Sequence, residues 1–325
     1  MSTNTPVNTP VTLAVAPSTA AHCAYEFAQV DVFAENPLEG NALAIFCDAR
    51  GLSTDEMQAL ARETNLSETT FIFPRAAEIE RERGVQVRIF LTSGEVPFAG
   101  HPTLGTASWL YWNHPVFRGA EEITVDLGVG PIPVHFTPPQ PCEQGVFGTM
   151  KQNDPNFSDI RNSKEDREAL AAALSLSVDD LDPSLPAQIV STGLVFCVVP
   201  LKSLEVASRL WISPQIARPF LDRIGARFFY CITRAHPNSG ADWHARMQFD
   251  TGEDPATGSA SGCAISYLVR HGVVPGGQSI VIEQGVEISR PSRIHASASI
   301  ENNSVTKVFV GGRTIPVASG RFFLP

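Results

Sequence analysis

The pattern of apolar and polar positions predicts strands and helices in alternation along most of the chain. A capping box formed by Ser53 and Glu56 predicts a helix over residues 53–63, and Ser163 is a good N-cap for a helix over 165–174. The combination of these predicted helices with the predicted strands is typical of an α+β protein. Runs with alternating or clustered apolar residues predict strands, the main ones being 25–33, 41–46, 69–73, 85–91, 123–127, 132–136, 194–199, 228–233, 279–283, 294–300 and 305–310.

One predicted helix has an unusual composition. Residues 102–112 are rich in Gly, Thr, Ala and Ser, which lack long side chains and let the backbone of neighbouring elements approach closely. We therefore expect sheet to surround this helix on several sides.

A stretch of sequence occurs twice. Residues 87–103 read VRIFLTSGEVPFAGHPT and residues 245–260 read ARMQFDTGEDPATGSA, and each runs from a strand through a loop into a helix of small residues. The repeat predicts a duplicated α/β unit. Helix starts carry unpaired N–H groups, so two of them facing one cleft would bind a carboxylate or an oxyanion. The residues that recur at an offset of 158 are Arg88 and Arg246, Gly94 and Gly252, and Glu95 and Glu253.

The segment Pro138-Pro139-Gln140-Pro141 is the strongest boundary signal in the chain. We expect a flexible tail over 1–22, an N-terminal α/β domain over 23–137, a linker over 138–144 and a C-terminal α/β domain over 145–325. The last segment, 313–324, is expected to cross back to the first domain.

Composition narrows the class of protein. The 325 residues are 43% hydrophobic and 18% charged, as in a folded enzyme, and the net charge of −10 argues against binding to nucleic acid or to a membrane surface. No apolar run reaches the roughly 18 residues of a membrane span. The six cysteines are scattered without a Cys-x-x-Cys pair, which indicates free thiols and a cytoplasmic location.

Several common site signatures are absent from the sequence. It contains no His-Glu-x-x-His, Walker loop, Gly-x-Gly-x-x-Gly or Gly-x-Ser-x-Gly pattern. We therefore expect no metal and no cofactor.

A set of spaced motifs runs along the chain. The motifs are DVF at 31–33, NPLEGN at 36–41, NLSETTF at 65–71, GHPTLG at 100–105, EDPATGSA at 253–260, QG at 284–285 and RPS at 290–292. Through them the chain resembles the PhzF family of phenazine-biosynthesis-like isomerases over residues 25–325. The resemblance implies the diaminopimelate epimerase-like fold, with two pseudo-symmetric domains, each a mixed sheet rolled around a central helix, and the active site between them.

The resemblance also implies three catalytic residues. Glu68 would be the general acid/base, with a pKa raised by partial burial. His101 lies at a predicted helix start, where the helix dipole disfavours the imidazolium, so we expect a neutral ring. Asp254 resembles the second acidic group of the family, which orients substrate or shares a proton with His101.

Small residues at the two helix starts are the candidate substrate-binding groups. Gly100, Gly258 and Ser259 would offer backbone N–H groups and one hydroxyl to a substrate carboxylate or enolate oxygen. For Glu95 and Glu253 we expect a structural role in anchoring the two repeated loops.

The sequence thus predicts a cofactor-independent isomerase that moves a proton within an unsaturated small-molecule acid or related metabolite. Two alternatives stay open: a racemase or epimerase of the same fold, and a binding protein without turnover. Racemases of this fold use a thiol in each half-site, and the nearest thiol here, Cys263, lies inside the second predicted helix. The expected partner is a small carboxylate-bearing substrate, and a homodimer is an alternative to a monomer.

Overall fold

The computed structural model describes residues 23–141, 143–161, 163–249 and 252–324. The expected flexible tail over 1–22 lies outside these residues. The helices are α1 (Thr54–Thr64), α2 (Ala77–Arg83), α3 (Gly100–Asn113), α4 (Lys164–Ala173), α5 (Leu204–Arg209), α6 (Pro214–Ile224) and α7 (Gly258–Arg270). The strands are β1 (Cys23–Val32), β2 (Asn41–Phe46), β3 (Glu68–Phe73), β4 (Val85–Leu91), β5 (Glu95–Val96), β6 (Glu122–Leu127), β7 (Gly130–Thr137), β8 (Val146–Lys151), β9 (Asn156–Arg161), β10 (Ala187–Ser191), β11 (Val195–Pro200), β12 (Phe228–Arg234), β13 (Trp243–Arg246), β14 (Gln248–Phe249), β15 (Gly252–Glu253), β16 (Ser279–Gln284), β17 (Ser292–Glu301) and β18 (Ser304–Leu324).

The N-terminal half is a sheet closed around α3. The strand order is β1-β2-β3-β4-β6-β7-β8-β18, and β18 pairs in turn with β1, which completes the ring. Gly105 lies where α3 packs most tightly, since a Cβ atom there would be 2.7 Å from Leu43 and 2.8 Å from Val32 side-chain atoms. The small residues of this helix are therefore required by the sheet that surrounds it.

The C-terminal half wraps a second sheet around α7, in which no pairing between β9 and β18 closes a ring among the described residues. Its strands follow the order β18-β17-β16-β13-β12-β11-β10-β9, and α7 is buried along almost its whole length. Strand β18 belongs to both halves, because it pairs with β17 and β8 through its first part and with β1 through its last part. No helix among the described residues is long and apolar enough to cross a membrane.

Strand directions confirm the predicted duplication. In the first half β2 and β3 are parallel, β3 and β4 antiparallel, β4 and β6 parallel, and β6 and β7 antiparallel. In the second half β11, β12, β13, β16 and β17 follow the same sequence of directions. The predicted fold, two pseudo-symmetric rolled sheets around central helices, is confirmed, whereas the domain limits at 138–144 stay a prediction.

The repeated arginine and glutamate form the same ion pair in both halves. Arg88 contacts both carboxylate oxygens of Glu95, at 2.7 and 2.6 Å, and Arg246 does so with Glu253, at 2.8 and 2.5 Å. The second pair is more deeply buried, and Arg246 also donates to the carbonyl oxygen of Ala207 at 2.7 Å. Each pair fixes the loop that leads to a central helix.

Some elements were not evident in the sequence pattern. Helix α6 was not predicted because Pro214 and Pro219 resemble loop signals, yet its buried face of Ala217, Phe220 and Leu221 packs against the sheet. Strands β8, β9 and β10 were also missed. The strand predicted over 305–310 and the segment 313–324 form one continuous strand, β18.

The two ion pairs predict unequal effects on stability. We expect Arg246→Met to lower the free energy of unfolding by about 3–5 kcal/mol, because it leaves the carboxylate of Glu253 buried without its counter-charge. Arg88→Met is the matched control and should cost about 1 kcal/mol or less, since that pair is partly exposed. Urea denaturation followed by tryptophan fluorescence measures both, and equal losses would contradict the asymmetry.

Candidate active site

The starts of the two central helices lie next to each other between the halves. A Cβ atom built on Gly100, the first residue of α3, would be 3.9 Å from the backbone nitrogen of Ser259, the second residue of α7. The first N–H groups of a helix have no partner within it, and the dipole makes this end positive. Their convergence creates a site suited to an anion.

These two helix starts also lack side-chain caps. Ser53, Ser163 and Ser203 cap the N-termini of α1, α4 and α5 with their hydroxyl groups. Neither Ala99 nor Thr257, the residues before α3 and α7, makes such a bond. Helices α2 and α6 are uncapped in the same way, so what distinguishes α3 and α7 is that their uncapped starts meet.

Glu68 and His101 meet beside this junction. Glu68 is the first residue of β3, and its Oε2 lies 3.6 Å from Nε2 of His101 in the first turn of α3. Both atoms are buried and have no hydrogen-bond partner among the described residues. Buried polar atoms are usually paired, so two unpaired atoms facing each other make this place a candidate site.

The environment shifts both pKa values in the direction that the sequence predicts. Burial raises the pKa of the Glu68 carboxyl to about 8, and the negative charge of Asp254 adds to the effect. Burial lowers the pKa of His101 to about 3. His101 is therefore neutral at pH 7, while Glu68 can accept or release a proton near neutrality.

Asp254 is held by hydrogen bonds from both halves. Asn41, the first residue of β2, donates to Oδ1 at 2.8 Å, and Thr257 donates to Oδ2 at 2.6 Å. Burial raises the pKa of Asp254 to about 6, although both hydrogen bonds favour the ionised form. The carboxylate is thus mainly ionised at pH 7 and lies close enough to Glu68 to disfavour a second negative charge.

Gly258 and Ser259 occupy the start of α7, as the sequence predicts. A Cβ atom on Gly258 would lie 3.1 Å from the ring of Phe33, and its carbonyl oxygen accepts a hydrogen bond from Gln152 at 3.0 Å. Ser259 is partly exposed at the junction. The fold therefore brings Glu68, His101 and both helix starts to one place.

Three residues of this site carried no assigned role in the sequence analysis: Asn41, Thr257 and Gln284. Each stands in one of the quoted motifs, but only the tertiary structure places Asn41 against a carboxylate more than two hundred positions away. The sequence signal that could have pointed to them is a polar residue at the boundary of an apolar strand or of a helix of small residues.

Cys263 lies away from the helix starts, on the second turn of α7. Its Sγ is 3.7 Å from Oγ1 of Thr192, and burial raises the thiol pKa to about 11. At neutral pH the group is a thiol rather than a thiolate, and the thiolate is the reactive form of cysteine.

Comparison with known proteins identifies the family. A model of the family described as phenazine biosynthesis-like protein matches residues 30–320. The chain belongs to this PhzF family. It is 33% identical to trans-2,3-dihydro-3-hydroxyanthranilate isomerase of Pseudomonas aeruginosa, over 92% of the chain and 100% of the relative, and 34% identical to the enzyme of the same name from Pseudomonas chlororaphis, over 92% and 100%. The chain is accordingly a PhzF-family isomerase.

Solved structures agree with the fold. A PhzF-family phenazine biosynthesis protein of Bacillus anthracis superposes with a TM-score of 0.80 at 26% identity, covering 93% of the chain and 100% of the neighbour. A probable proline racemase of Agrobacterium radiobacter has a TM-score of 0.60 at 10% identity, with 93% of both chains covered. The second likeness shows the shared fold only.

The pKa values of two buried histidines should be shifted in opposite directions. We expect His101 to stay neutral from pH 5 to 9, because no counter-charge offsets its burial. His244 is the control: burial disfavours its charge, but hydrogen bonds to Glu283 and Glu287 raise its pKa to about 9.

Imidazole ¹⁵N spectra recorded over this pH range test the assignment, with His101→Gln and His244→Gln identifying the signals. A protonation midpoint for His101 between pH 5 and 7 would show that the ring is not shielded as the structure indicates.

Proposed function

We propose that the protein is a cofactor-independent isomerase in which Glu68 moves a proton within an unsaturated small-molecule acid. The observation that carries the proposal is the buried, unpartnered Glu68 carboxyl, 3.6 Å from a neutral His101 and beside two uncapped helix starts. A general acid/base works best when its pKa lies near the operating pH, and Glu68 meets that condition.

The chemistry conserves one proton and one electron pair. The ionised Glu68 removes a proton from a carbon beside the unsaturated system, and the electron pair of that bond moves into the conjugated system. The same carboxyl group then returns the proton to another carbon as the double bond shifts. No oxidant or second substrate is required.

The helix starts stabilise the negative charge that develops. The substrate carboxylate, or an enolate oxygen formed from it, would accept hydrogen bonds from the N–H groups of Gly100, Gly258 and Ser259. The neutral His101 donates or accepts a hydrogen bond without adding charge, and Asp254 orients a polar group of the substrate. This assignment explains why neither central helix carries a side-chain cap.

The substrate proposal follows from the relatives. Two relatives with about one-third identity are named for isomerisation of trans-2,3-dihydro-3-hydroxyanthranilate, an unsaturated amino acid with a hydroxyl group. We propose this compound or a close analogue as the substrate class.

The duplicated fold also supports transfer by one base. Strand register places Phe71 opposite Arg88 and Cys231 opposite Arg246, so the counterpart of Glu68 in the second half is Phe228. A racemase that removes and replaces a proton on opposite faces needs an acid/base group on each side. The second half offers a phenyl ring at that position, which favours removal and return on the same face.

Replacement of the acid tests the proposal directly. We expect Glu68→Gln to retain the fold and to lower kcat for trans-2,3-dihydro-3-hydroxyanthranilate by about 10²–10⁴, because the amide cannot accept a proton. Absorbance of the conjugated product follows the reaction. Turnover within tenfold of the parent would exclude Glu68 as the acid/base.

The same variant should be more stable at alkaline pH. The folded-state pKa of Glu68 lies above its ordinary value of 4.5, so its ionisation makes the folded state less stable as pH rises from about 4.5 to about 8. Removing the carboxyl should therefore raise the free energy of unfolding at pH 8 by up to about 5 kcal/mol, since each pKa unit corresponds to about 1.4 kcal/mol. Urea denaturation at pH 5 and pH 8 measures the difference, and Glu63→Gln on the exposed face of α1 is the control.

Thiol chemistry distinguishes the proposal from a two-thiol racemase. We expect Cys263→Ala to keep kcat within about threefold and a thiol reagent at pH 7 to leave activity unchanged, because this thiol is buried and protonated. Cys23 is exposed and provides the control for reagent activity. Inactivation traced to Cys263 and prevented by substrate would favour the racemase.

A further inference from the structure

The side chain of Gln284 is the centre of a hydrogen-bond network beneath the site. Gln284 ends β16 and is fully buried. Its Nε2 donates to the carbonyl oxygen of Asp254 at 2.7 Å and to Oγ1 of Thr257 at 2.9 Å. Its Oε1 accepts from the backbone N–H of Thr257 at 3.2 Å and from the hydroxyl of Tyr230 at 3.0 Å.

These contacts fix which way the amide points. The backbone N–H of Thr257 can only donate and the carbonyl oxygen of Asp254 can only accept, so turning the amide over would set donor against donor and acceptor against acceptor. The Gln284 side chain makes all four of its hydrogen bonds only when the amide has this orientation.

The fixed amide determines the direction of the next hydrogen bond. Since Oγ1 of Thr257 accepts a proton from Gln284, the hydroxyl proton of Thr257 is directed to Oδ2 of Asp254, 2.6 Å away. Asn41 donates to the other carboxylate oxygen at 2.8 Å. Both oxygens of Asp254 are thus acceptors, which is the arrangement of an ionised carboxylate.

We propose that Gln284 and Thr257 are positioning residues for the proton-transfer site: Gln284 sets the direction of the Thr257 hydroxyl, and Thr257 holds Asp254 ionised and in one orientation. The inference rests on the proposed function, because it assigns a role to Asp254 beside Glu68. Neither positioning residue needs to touch the substrate.

This arrangement links three elements that are far apart in sequence. Gln284 comes from β16, Tyr230 from β12, and Thr257 precedes α7, so the direction of one hydroxyl depends on how the sheet packs on the helix. The charged and titratable groups that act on Asp254 or respond to it are Glu68, Glu253 and Tyr230. None of them donates to its carboxylate. Thr257 and Asn41 are its side-chain donors among the described residues, and the backbone N–H of Ala256 also favours the ionised form.

Thr257→Val removes the hydroxyl while keeping the shape of the side chain. We expect kcat to fall by about 10- to 100-fold with KM within about threefold, because a displaced site group costs rate at this scale. We also expect the pKa of Asp254 to rise above the parent value of about 6, since the ionised form loses one of its donors. Carboxyl ¹³C spectra, assigned with Asp254→Asn, report this pKa.

Two further variants separate positioning from packing. Thr257→Ser keeps the hydroxyl and should restore both kcat and the Asp254 pKa to near the parent values. Gln284→Met removes the amide that donates to Thr257 without adding a charge beside Asp254, so the direction of the Thr257 hydroxyl is no longer fixed. It should lower kcat and raise the Asp254 pKa as Thr257→Val does, and the double variant should be no worse than the poorer single variant.

The matched control is Thr106→Val. Thr106 is a buried threonine on the other central helix, α3, and its hydroxyl donates to Thr70 at 2.9 Å rather than to Asp254. It should leave the Asp254 pKa unchanged.

The outcomes decide the inference in either direction. An unchanged Asp254 pKa in Thr257→Val, or a Thr257→Ser variant as impaired as Thr257→Val, would overturn it. If the parent protein does not convert the proposed substrate, the proposed function fails, while the Asp254 pKa in the same variants still decides whether Gln284 and Thr257 position the carboxylate.

Discussion

The meeting of two uncapped helix starts is the constraint on which the rest of this structure depends. Each start belongs to a helix buried at the centre of one half, and Gly100 and Ser259 bring the two backbones close together. Unpaired N–H groups at such a junction favour an anion, and neither N-cap residue, Ala99 or Thr257, satisfies them with its side chain. The small residues of α3 and α7 and the sheets rolled around them serve to hold this junction in place.

Contacts between the halves keep the junction aligned. Strand β18 is shared by both sheets, and Arg290 in the second half contacts Asp31 in the first at 2.8 Å, where Asp31 is completely buried. Gly40 has a positive φ of 62°, and a Cβ atom there would clash with the carbonyl oxygen of Val32, so the turn before Asn41 requires glycine. The turn delivers Asn41 to Asp254, which connects the geometry of the interface to the acidic groups of the site.

The site is built at a cost in stability. Burial of Glu68 beside Asp254 disfavours ionisation, and the orphaned Oε2 of Glu68 and Nε2 of His101 are left without partners. Two sets of bonds offset this cost by stabilising the loop before α7. They are the hydrogen bonds of the Gln284 amide and the ion pair of Arg246 with Glu253. A desolvated group beside a rigid support is the balance expected for the proton exchange that we propose for Glu68.

The sequence by itself determined the elements with local signals: the alternating strands, the capping box at Ser53, the small-residue helix and the repeat at an offset of 158, which together gave the duplicated fold. Its motifs also named Glu68, His101 and Asp254. Helix α6 was missed because Pro219 interrupts its pattern, although its apolar face packs well. Only the tertiary structure decided the bond from Asn41 to Asp254 and the four bonds of Gln284. The physical reason is that these contacts join residues far apart in the chain, and their partners follow from strand register and sheet closure, which no local pattern encodes.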